Sequence, residues 1–476
     1  MIINQDLLSI TLLISFHILI ISEFMFSKVH YMLDDFFKFK ENRADYRTEI
    51  IAGITTFLAM AYILGVNPSM LAEGGMPANA VFFSTAIASG IACIVMGLVA
   101  KFPVGLAPGM GLNALFTYTI ILEMGNSWES ALAAVFISSI IFFIITISGL
   151  REAILNLIPA DLKIGIGAGI GFFLAFLGFK GAGIIVNDPS TYVTMGNLLA
   201  PSVILALIGI LITLVFYIRK VPAAVFFGMI ITAAIGIVFS FLGLGTGNPL
   251  MPSIPAHFIS VNFDFSLFGG FLRGFTQLFS NIPNLFMMVF SLLFVTFFDA
   301  TGTLMSLGKQ CGFIDEKGQA MGIEKAFLSD AIGGIIGSVC GTSTVTAFVE
   351  SATGVGMGAK TGLASVVTGI LFLLSIFVAP LILALFTPSV TAAALVIVGF
   401  LMMAQLGSVN WANAVISASV FMTIIMMILS YSISIGIAWG FITYFVGSIA
   451  EGKFKEMGWG MYALMIVFLV YLFFGL

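Results

Sequence analysis

Charged residues are scarce in this chain of 476 residues. Lysine, arginine, aspartate and glutamate together make up 8% of it, whereas about a quarter of a soluble domain is charged. Hydrophobic residues make up 60%, and the mean hydropathy is +1.17. This composition excludes a soluble globular protein and indicates a chain that lies in a lipid bilayer. We expect no nucleic-acid partner.

Cysteine and histidine are also rare. The three cysteines are far apart and have no CxxC spacing, so they indicate neither a disulfide framework nor a metal site: Cys93, Cys311 and Cys340. The three histidines lie outside the central apolar segments: His17, His30 and His257. We therefore expect no histidine proton relay, no metal and no resident cofactor.

Apolar segments follow one another along nearly the whole chain. A helix of about 17–25 apolar residues can cross a hydrocarbon core of about 30 Å. Glycine, proline and charged residues divide the chain into fourteen predicted spans, at 50–68, 80–100, 108–122, 130–149, 163–180, 200–218, 223–242, 285–307, 325–339, 345–358, 362–385, 390–406, 412–430 and 431–449. The stretch 459–476 is either a fifteenth crossing or a helix at the membrane interface. Residues 1–31 either contain an extra span or precede the true start at Met32.

The basic residues support this alternation, because cytoplasmic loops are rich in lysine and arginine. If the segment before the first span is inside, only Lys180 and Arg273 of the 18 basic residues fall outside. We therefore predict a multi-pass protein of the cell membrane with a cytoplasmic mature N-terminus. The long outer connection 243–284 is predicted to hold an aromatic-rich helix at the interface.

Two predicted spans have an interrupted pattern. The segment Lys101–Thr119 contains two prolines and several glycines, and in Gly341–Lys360 the run TSTVT precedes a glycine-rich stretch. Both predict an extended piece followed by a half-helix. Asn113 and Glu350 lie 237 positions apart in these segments, and with seven spans in each half the halves must be inverted. Interrupted helices at matching positions indicate a transporter's binding site.

Two carboxylates lie well inside predicted spans, Asp299 in FFDATGTL and Glu350 in the second interrupted segment, while Asp330 is near the start of a short span. A charge at mid-membrane costs about 2.5–3.5 kcal/mol on insertion scales, so such acids face a cavity, pair or carry a proton. Glu350 opens a half-helix, where free N–H groups favour the anion. Burial of Asp299 in mid-helix disfavours its charged form. We predict that both take part in proton coupling and substrate binding, with Glu350 accepting ligand N–H groups and Asp299 carrying a proton.

Other residues are predicted to complete this site. Helical spacing brings Thr303 close to Asp299, as it does Thr296 and Ser306. The remaining predicted substrate-binding residues offer backbone N–H groups or polar side chains: Gly109, Gly111, Asn113 and Thr344. A small planar solute with alternating donors and acceptors would suit such a site, stacked on an aromatic ring from among Phe116, Phe298 and Phe348.

Four motifs carry a resemblance to a known family. The motifs GITTFLAMAYILGVNP, APGMGLNALFTYT, FFDATGTL and SDAIGGIIGSVCGTSTVTAFVESATGVGMGAKTG resemble the AzgA-like purine permeases, within the nucleobase:cation symporter-2 (xanthine/uracil permease) superfamily. The resemblance covers residue 33 to the C-terminus. It implies a fourteen-span, seven-plus-seven inverted fold and proton-coupled uptake of adenine, guanine or hypoxanthine. It also implies short crossed strands near Val104–Ala107 and Ser343–Thr346.

The resemblance further implies that a core domain moves against a gate domain. The predicted division is a lead-in at 1–49, core spans 1–4 at 50–149, gate spans 5–7 at 150–242, the outer connection at 243–284, core spans 8–11 at 285–385, gate spans 12–14 at 386–455 and an apolar C-terminal helix at 456–476. The chain departs from the pattern at Thr296, where a second acid is usual, and at Lys360, where arginine is common. The first departure leaves the proton stoichiometry open.

The sequence disfavours two other classes of protein. An anion carrier or channel on the same inverted plan should place cations in the membrane, and the chain has two buried acids there instead. An intramembrane enzyme would need a metal cluster or a Ser/His or Cys/His pair, so we expect no enzyme. The stretch GVGMGAKTG lacks the spacing of a phosphate-binding loop. The preferred purine and the oligomeric state stay open, with a homodimer as one alternative.

Overall fold

The computed structural model describes residues 32–150, 159–245, 247–313, 323–453 and 457–474, and these are mostly helical. The predicted N-terminal segment 1–31 lies outside the described residues. In chain order the α-helices are α1 (Phe39–Asn42), α2 (Tyr46–Met60), α3 (Ile63–Glu73), α4 (Ala78–Val95), α5 (Met110–Ala114), α6 (Trp128–Ser148), α7 (Ala160–Gly181), α8 (Pro201–Ile218), α9 (Ala224–Phe241), α10 (Phe271–Ser280), α11 (Ile282–Gln310), α12 (Ile323–Cys340), α13 (Ala352–Gly356), α14 (Gly362–Ser375), α15 (Ala379–Leu385), α16 (Pro388–Met403), α17 (Ala414–Leu429), α18 (Ile433–Ala450) and α19 (Trp459–Phe474).

Shorter elements connect or extend these helices. The π-helices Met96–Ala100 and Leu115–Glu123 continue α4 and α5, and 3₁₀ turns cover Val349–Ser351, Ile376–Val378 and Ala404–Ser408. The strands are β1 (Leu106–Pro108), β2 (Ile185–Asp188), β3 (Tyr192–Met195) and β4 (Val345–Ala347). The β2–β3 hairpin was not predicted, because each strand has only four residues, too few to show a clear alternation of apolar and polar residues.

The predicted helical membrane fold is confirmed. Ten helical segments of the described chain are long and apolar enough to cross a membrane by length and composition. Each coincides with a predicted span. The four other predicted spans are also helical, but they are short or, in α12, carry three charged side chains: Met110–Glu123, Ile323–Cys340, Ala352–Gly356 and Ala414–Leu429.

Both interrupted spans have the predicted form of a strand followed by a half-helix. Strand β1 pairs antiparallel with β4, with Ala107 opposite Thr346, and all six strand residues are buried. Each strand lies one to two residues later than predicted. Because the strands run antiparallel, the half-helices that follow them leave in opposite directions, as an inverted repeat requires.

Glycines let the helices pack closely, as small residues commonly do between membrane helices. A Cβ on Gly97 would lie 2.4 Å from the carbonyl oxygen of Gly362, and a Cβ on Gly369 would lie 2.6 Å from that of Gly90. Helices α4 and α14 therefore cross with their backbones almost in contact. Helices α2, α3, α4, α6, α11, α12 and α14 pack mainly on one another, and helices α7, α8, α9, α16, α17 and α18 do likewise.

Two further segments pack around these helices. Helix α10, within the predicted outer connection, lies against α6. Helix α19 lies against α18, and the buried Phe468 ring contacts Phe294 of α11 and Phe441 of α18. The C-terminal helix therefore bridges the two groups of helices.

Candidate functional site

A cavity of about 1160 Å³ lies between the two groups of helices. One wall is formed by α11, by the start of α5 and by the segment that joins β4 to α13. The opposite wall is formed by α7, α9 and α16. The cavity reaches Lys163 near the start of α7 and Lys220 just after α8, so it extends toward the side that the basic residues predict to be cytoplasmic.

Asp299 lies in the middle of α11 and lines this cavity. Its neighbour across the cavity wall is Gly109, where a Cβ would lie 3.5 Å from Asp299 Oδ2 and 2.7 Å from Thr346 Cγ2. Only a residue without a side chain fits there without displacing one of them. In the described part of the chain, no hydrogen bond to the Asp299 carboxylate is found.

Glu350 lies in the 3₁₀ turn that follows β4 and opens the second half-helix, and it lines the same cavity. The hydroxyl of Tyr62 donates a hydrogen bond of 2.5 Å to Glu350 Oε1. The hydroxyl of Thr353, one turn later, donates to the Glu350 carbonyl oxygen at 2.7 Å. The two acids therefore line the same cavity, but among the described residues Glu350 has a hydrogen-bond donor and Asp299 has none.

The other predicted residues divide into two sets. Gly109, Gly111 and Thr303 line the cavity with the two acids. Asn113 and Thr344 are buried behind it and do not line it. Asn113 Oδ1 instead accepts a hydrogen bond from the Ser343 hydroxyl, which joins the two interrupted segments.

The Gly109 N–H also differs from its predicted use. It donates to the carbonyl oxygen of Thr344 at 3.0 Å and thus extends the β1–β4 pairing. This N–H is therefore not free to approach a ligand. Among the predicted aromatic residues, Phe298 and Phe348 line the cavity, while Phe116 is fully buried elsewhere.

Tyr62 and Asp330 have structural roles at the site that the sequence pattern did not assign. Tyr62 lies 237 positions before Asp299, the same separation as between Asn113 and Glu350, but no spacing rule indicates its contact with Glu350. Asp330 is buried, and its Oδ1 accepts from Thr346 Oγ1 at 3.0 Å and from the Ala347 N–H at 2.7 Å. It thereby fixes β4, the strand that leads to Glu350.

A polar cluster lies at the ends of α3 and α7 that are remote from Lys163 and Lys220. Lys180 Nζ is 3.7 Å from Glu73 Oε2 and 3.0 Å from the Tyr431 hydroxyl, and the Tyr118 hydroxyl donates to Glu73 at 3.0 Å. Lys180 also lies 5.5 Å from the ring centre of Tyr118 and 5.2 Å from that of Tyr431. We call Glu73, Tyr118, Lys180 and Tyr431 the outer cluster. It joins elements of both groups of helices on the side away from the cavity mouth.

Comparison with known proteins agrees with this architecture. Residues 47–472 match the model of a family described as "Permease family" (Xan_ur_permease). The chain is 43% identical over 453 residues to the guanine/hypoxanthine permease PbuG of Bacillus subtilis, covering 92% of this chain and 99% of that one. It is 39% identical over 430 residues to the adenine permease AdeP of Escherichia coli, covering 90% and 92%.

Solved structures support the same fold. The transmembrane domain of a cyanobacterium bicarbonate transporter, BicA, has a TM-score of 0.58 at 14% identity, covering 83% of this chain and 98% of that one. SLC26A9 has a TM-score of 0.60 at 11% identity, covering 89% and 70%. At such low identity these two likenesses concern the fold alone. The matches in sequence extend over nearly the whole chain and include every element of the site, so the chain belongs to the Xan_ur_permease family of permeases.

Proposed function

We propose that this chain is a proton-coupled symporter that carries purine nucleobases into the cytoplasm by alternating access. The observation that carries the proposal is the pair of carboxylates on one cavity, of which one has a hydrogen-bond donor in the described part of the chain and the other has none. The names of the relatives, guanine/hypoxanthine and adenine permeases, supply the substrate class.

The cavity suits a flat heterocycle with a polar edge. Its acids and Thr303 all come from one wall, and the facing wall offers apolar side chains such as Ile170, Val398 and Met402. The free oxygen of Glu350 can accept N–H groups of a base, and charge-assisted hydrogen bonds of this kind are the stronger ones. Phe298 and Phe348 offer ring faces or edges to the heterocycle.

Asp299 is the proposed proton carrier. A half-buried carboxylate without a hydrogen-bond donor is costly as an anion, so it gains most from protonation. A proton on Asp299 would remove one of the two negative charges before the loaded site crosses the membrane. Each charge moved inward gains about 2.3 kcal/mol per 100 mV of membrane potential, which is enough to drive accumulation.

Alternating access is supported by the asymmetry between the two ends of the site. The cavity extends toward Lys163 and Lys220, while the outer cluster joins the two groups of helices at the other end. We infer that this is an inward-facing state, that the two groups are the core and gate domains, and that release of the outer cluster accompanies outward opening. The orientation follows from the distribution of basic residues.

The test is uptake of labelled adenine, guanine, hypoxanthine, xanthine and uracil into cells that lack their own purine transporters, with and without a protonophore. We expect uptake of at least one purine that collapses with the protonophore. Uptake that is unaffected by the protonophore would contradict the coupling. Transport of bicarbonate or sulfate without any base would favour an anion carrier, the alternative that shares this fold.

A further inference from the structure

Tyr62 is completely buried at the junction between α2 and α3. Its ring centre lies 6.3 Å from that of Phe348, and its hydroxyl points at Glu350 Oε1. The two residues are 288 positions apart, so the contact exists only because the two halves of the chain fold together. Tyr62 also lines the cavity.

The backbone around Tyr62 is tighter than an α-helix. Leu64 N–H donates to the Ala61 carbonyl and Gly65 N–H to that of Tyr62, both bonds of the 3₁₀ type, and Pro68 follows within α3. Proline has no N–H, so the Leu64 carbonyl loses its usual partner. A short 3₁₀ stretch within a membrane helix often marks a functional position. This local geometry sets the direction of the Tyr62 side chain.

The inverted repeat gives Tyr62 a counterpart. Tyr62 and Asp299 are 237 positions apart, the same separation as between Asn113 and Glu350. Asp299, in the first span of the second half, lies against Gly109, which precedes the half-helix of the first half. Tyr62, in the first span of the first half, contacts Glu350, which precedes the half-helix of the second half. Each first span therefore sends one polar side chain to the other half's binding segment.

We propose that Tyr62 is a positioning residue for substrate recognition. It holds Oε1 of Glu350, stabilises the ionised carboxylate and leaves Oε2 for an N–H group of the base. This inference rests on the proposed function, because it assigns Glu350 to the substrate. A purely structural tyrosine would act through its ring, which phenylalanine keeps, whereas the proposed role depends on the hydroxyl.

The test compares Tyr62→Phe with Tyr444→Phe in purine uptake. Tyr444 is a partly buried tyrosine of α18 that does not line the cavity. A hydrogen bond to a charged group corresponds to a change of about tenfold to a hundredfold in an equilibrium constant. We expect Tyr62→Phe to raise KM by that factor, with a much smaller change in maximal rate, and Tyr444→Phe to leave both unchanged.

The pH profile separates positioning from packing. A carboxylate that has lost a donor takes up a proton more readily, so the acid limb of uptake should move to higher pH in Tyr62→Phe. Glu350→Asp keeps the charge but shortens the side chain, so it should also move the acid limb of uptake to higher pH. It serves as the second variant if Tyr62→Phe does not reach the membrane. If Tyr62→Phe changes neither KM nor the acid limb of uptake, the role of Tyr62 is overturned. If only Glu350→Asp reaches the membrane, an acid limb at the same pH as in the parent overturns it too.

Glu350→Gln distinguishes this inference from the proposed function. If Glu350→Gln transports purines like the parent, Glu350 does not bind the base and the proposed site itself is wrong. If Glu350→Gln loses binding while Tyr62→Phe behaves like the parent, the site stands and the inference about Tyr62 falls. In the double variant, Tyr62→Phe should add little to the loss caused by Glu350→Gln, because the two residues act through one contact.

Discussion

Replacement of Lys180 by glutamine should shift the transporter toward its outward-open state. Lys180 pairs with Glu73 and Tyr431 and lies over two tyrosine rings. In the proposed transport cycle these contacts join the two groups of helices and break when the outer end opens. Glutamine keeps most of the length of the side chain but removes its positive charge. The substitution therefore removes contacts from the proposed inward-facing state and none from the outward-open state.

The size of the shift between the two states depends on how far the side chains of the outer cluster are exposed to solvent. The side chains of Lys180 and Glu73 are 47% and 45% exposed, so solvent screens the ion pair and it contributes only about 0.2–1 kcal/mol. Each cation–π contact adds about 0.5–1 kcal/mol at an exposed site. These contacts share one charge, so their energies do not add in full, and we expect Lys180→Gln to remove about 1–2 kcal/mol of stabilisation. That corresponds to a change of about 5- to 30-fold in the ratio of the two states.

Thiol labelling from each side of the membrane measures this ratio. Gly302 lines the cavity, and a Cβ there meets no atom within 4 Å, so Gly302→Cys should report access to the site. Cys93 and Cys340 are buried, so only Cys311 needs replacement beforehand. With a membrane-impermeant reagent, Lys180→Gln should raise the labelling rate from outside about 5- to 30-fold and lower it from inside.

The control for Lys180→Gln is Lys38→Gln, which breaks an ion pair with Glu41 in the lead-in, outside both the cavity and the outer cluster. It should leave labelling from both sides unchanged. If Lys180→Gln also left both rates unchanged, or lowered both together, the outer cluster would not stabilise the inward-facing state.

Three further substitutions test the site and the packing. Asp299→Asn should abolish accumulation of purine against a gradient but retain exchange of internal for external base, because it can bind no transferable proton; vesicle counterflow measures both. Gly109→Ala should weaken purine binding at least tenfold, since its Cβ would lie 2.7 Å from Thr346 Cγ2 beside the acid, as measured by equilibrium binding. Gly440→Ala should lower the free energy of unfolding by about 1–3 kcal/mol, because its Cβ would overlap the Thr423 side chain; thermal unfolding in detergent measures it.

Glycine-to-alanine changes at open positions serve as controls for the last two. A Cβ at Gly407 or Gly458 meets no atom within 4 Å, and neither glycine lines the cavity, so alanine there should leave binding and thermal stability nearly unchanged. Normal binding in Gly109→Ala would show that the wall beside Asp299 adapts freely. Unchanged thermal unfolding in Gly440→Ala would mean that α17 and α18 separate at little cost. Full protonophore-sensitive accumulation by Asp299→Asn would exclude Asp299 as the coupling group.

Much of the fold could be predicted because membrane insertion is a local property of the chain. Each apolar run must satisfy its backbone hydrogen bonds within itself, so length and hydropathy suffice to locate a helix. The breaks at β1 and β4 were also predictable, since proline, glycine and β-branched residues act on their own backbone. The β2–β3 hairpin was not predictable in this way, because it is held by pairing between two strands of only four residues each.

The candidate site was only partly predictable. Asp299 and Glu350 could be identified because a carboxylate in a membrane span is energetically costly and therefore marks a functional position. The use of the Gly109 N–H by Thr344 and the turn of Asn113 toward Ser343 could not be predicted, because the partners lie in the opposite half of the chain.

Local composition was enough to locate the apolar helices, the two interrupted segments and the acids inside predicted spans, since the energy of transfer into lipid depends on it. Folding of the whole chain was needed to bring both acids to one cavity, to place the Tyr62 hydroxyl on Glu350 and to assemble the outer cluster. The residues in these contacts come from separate spans, so the distances between them depend on the direction of the side chains and on how the helices cross.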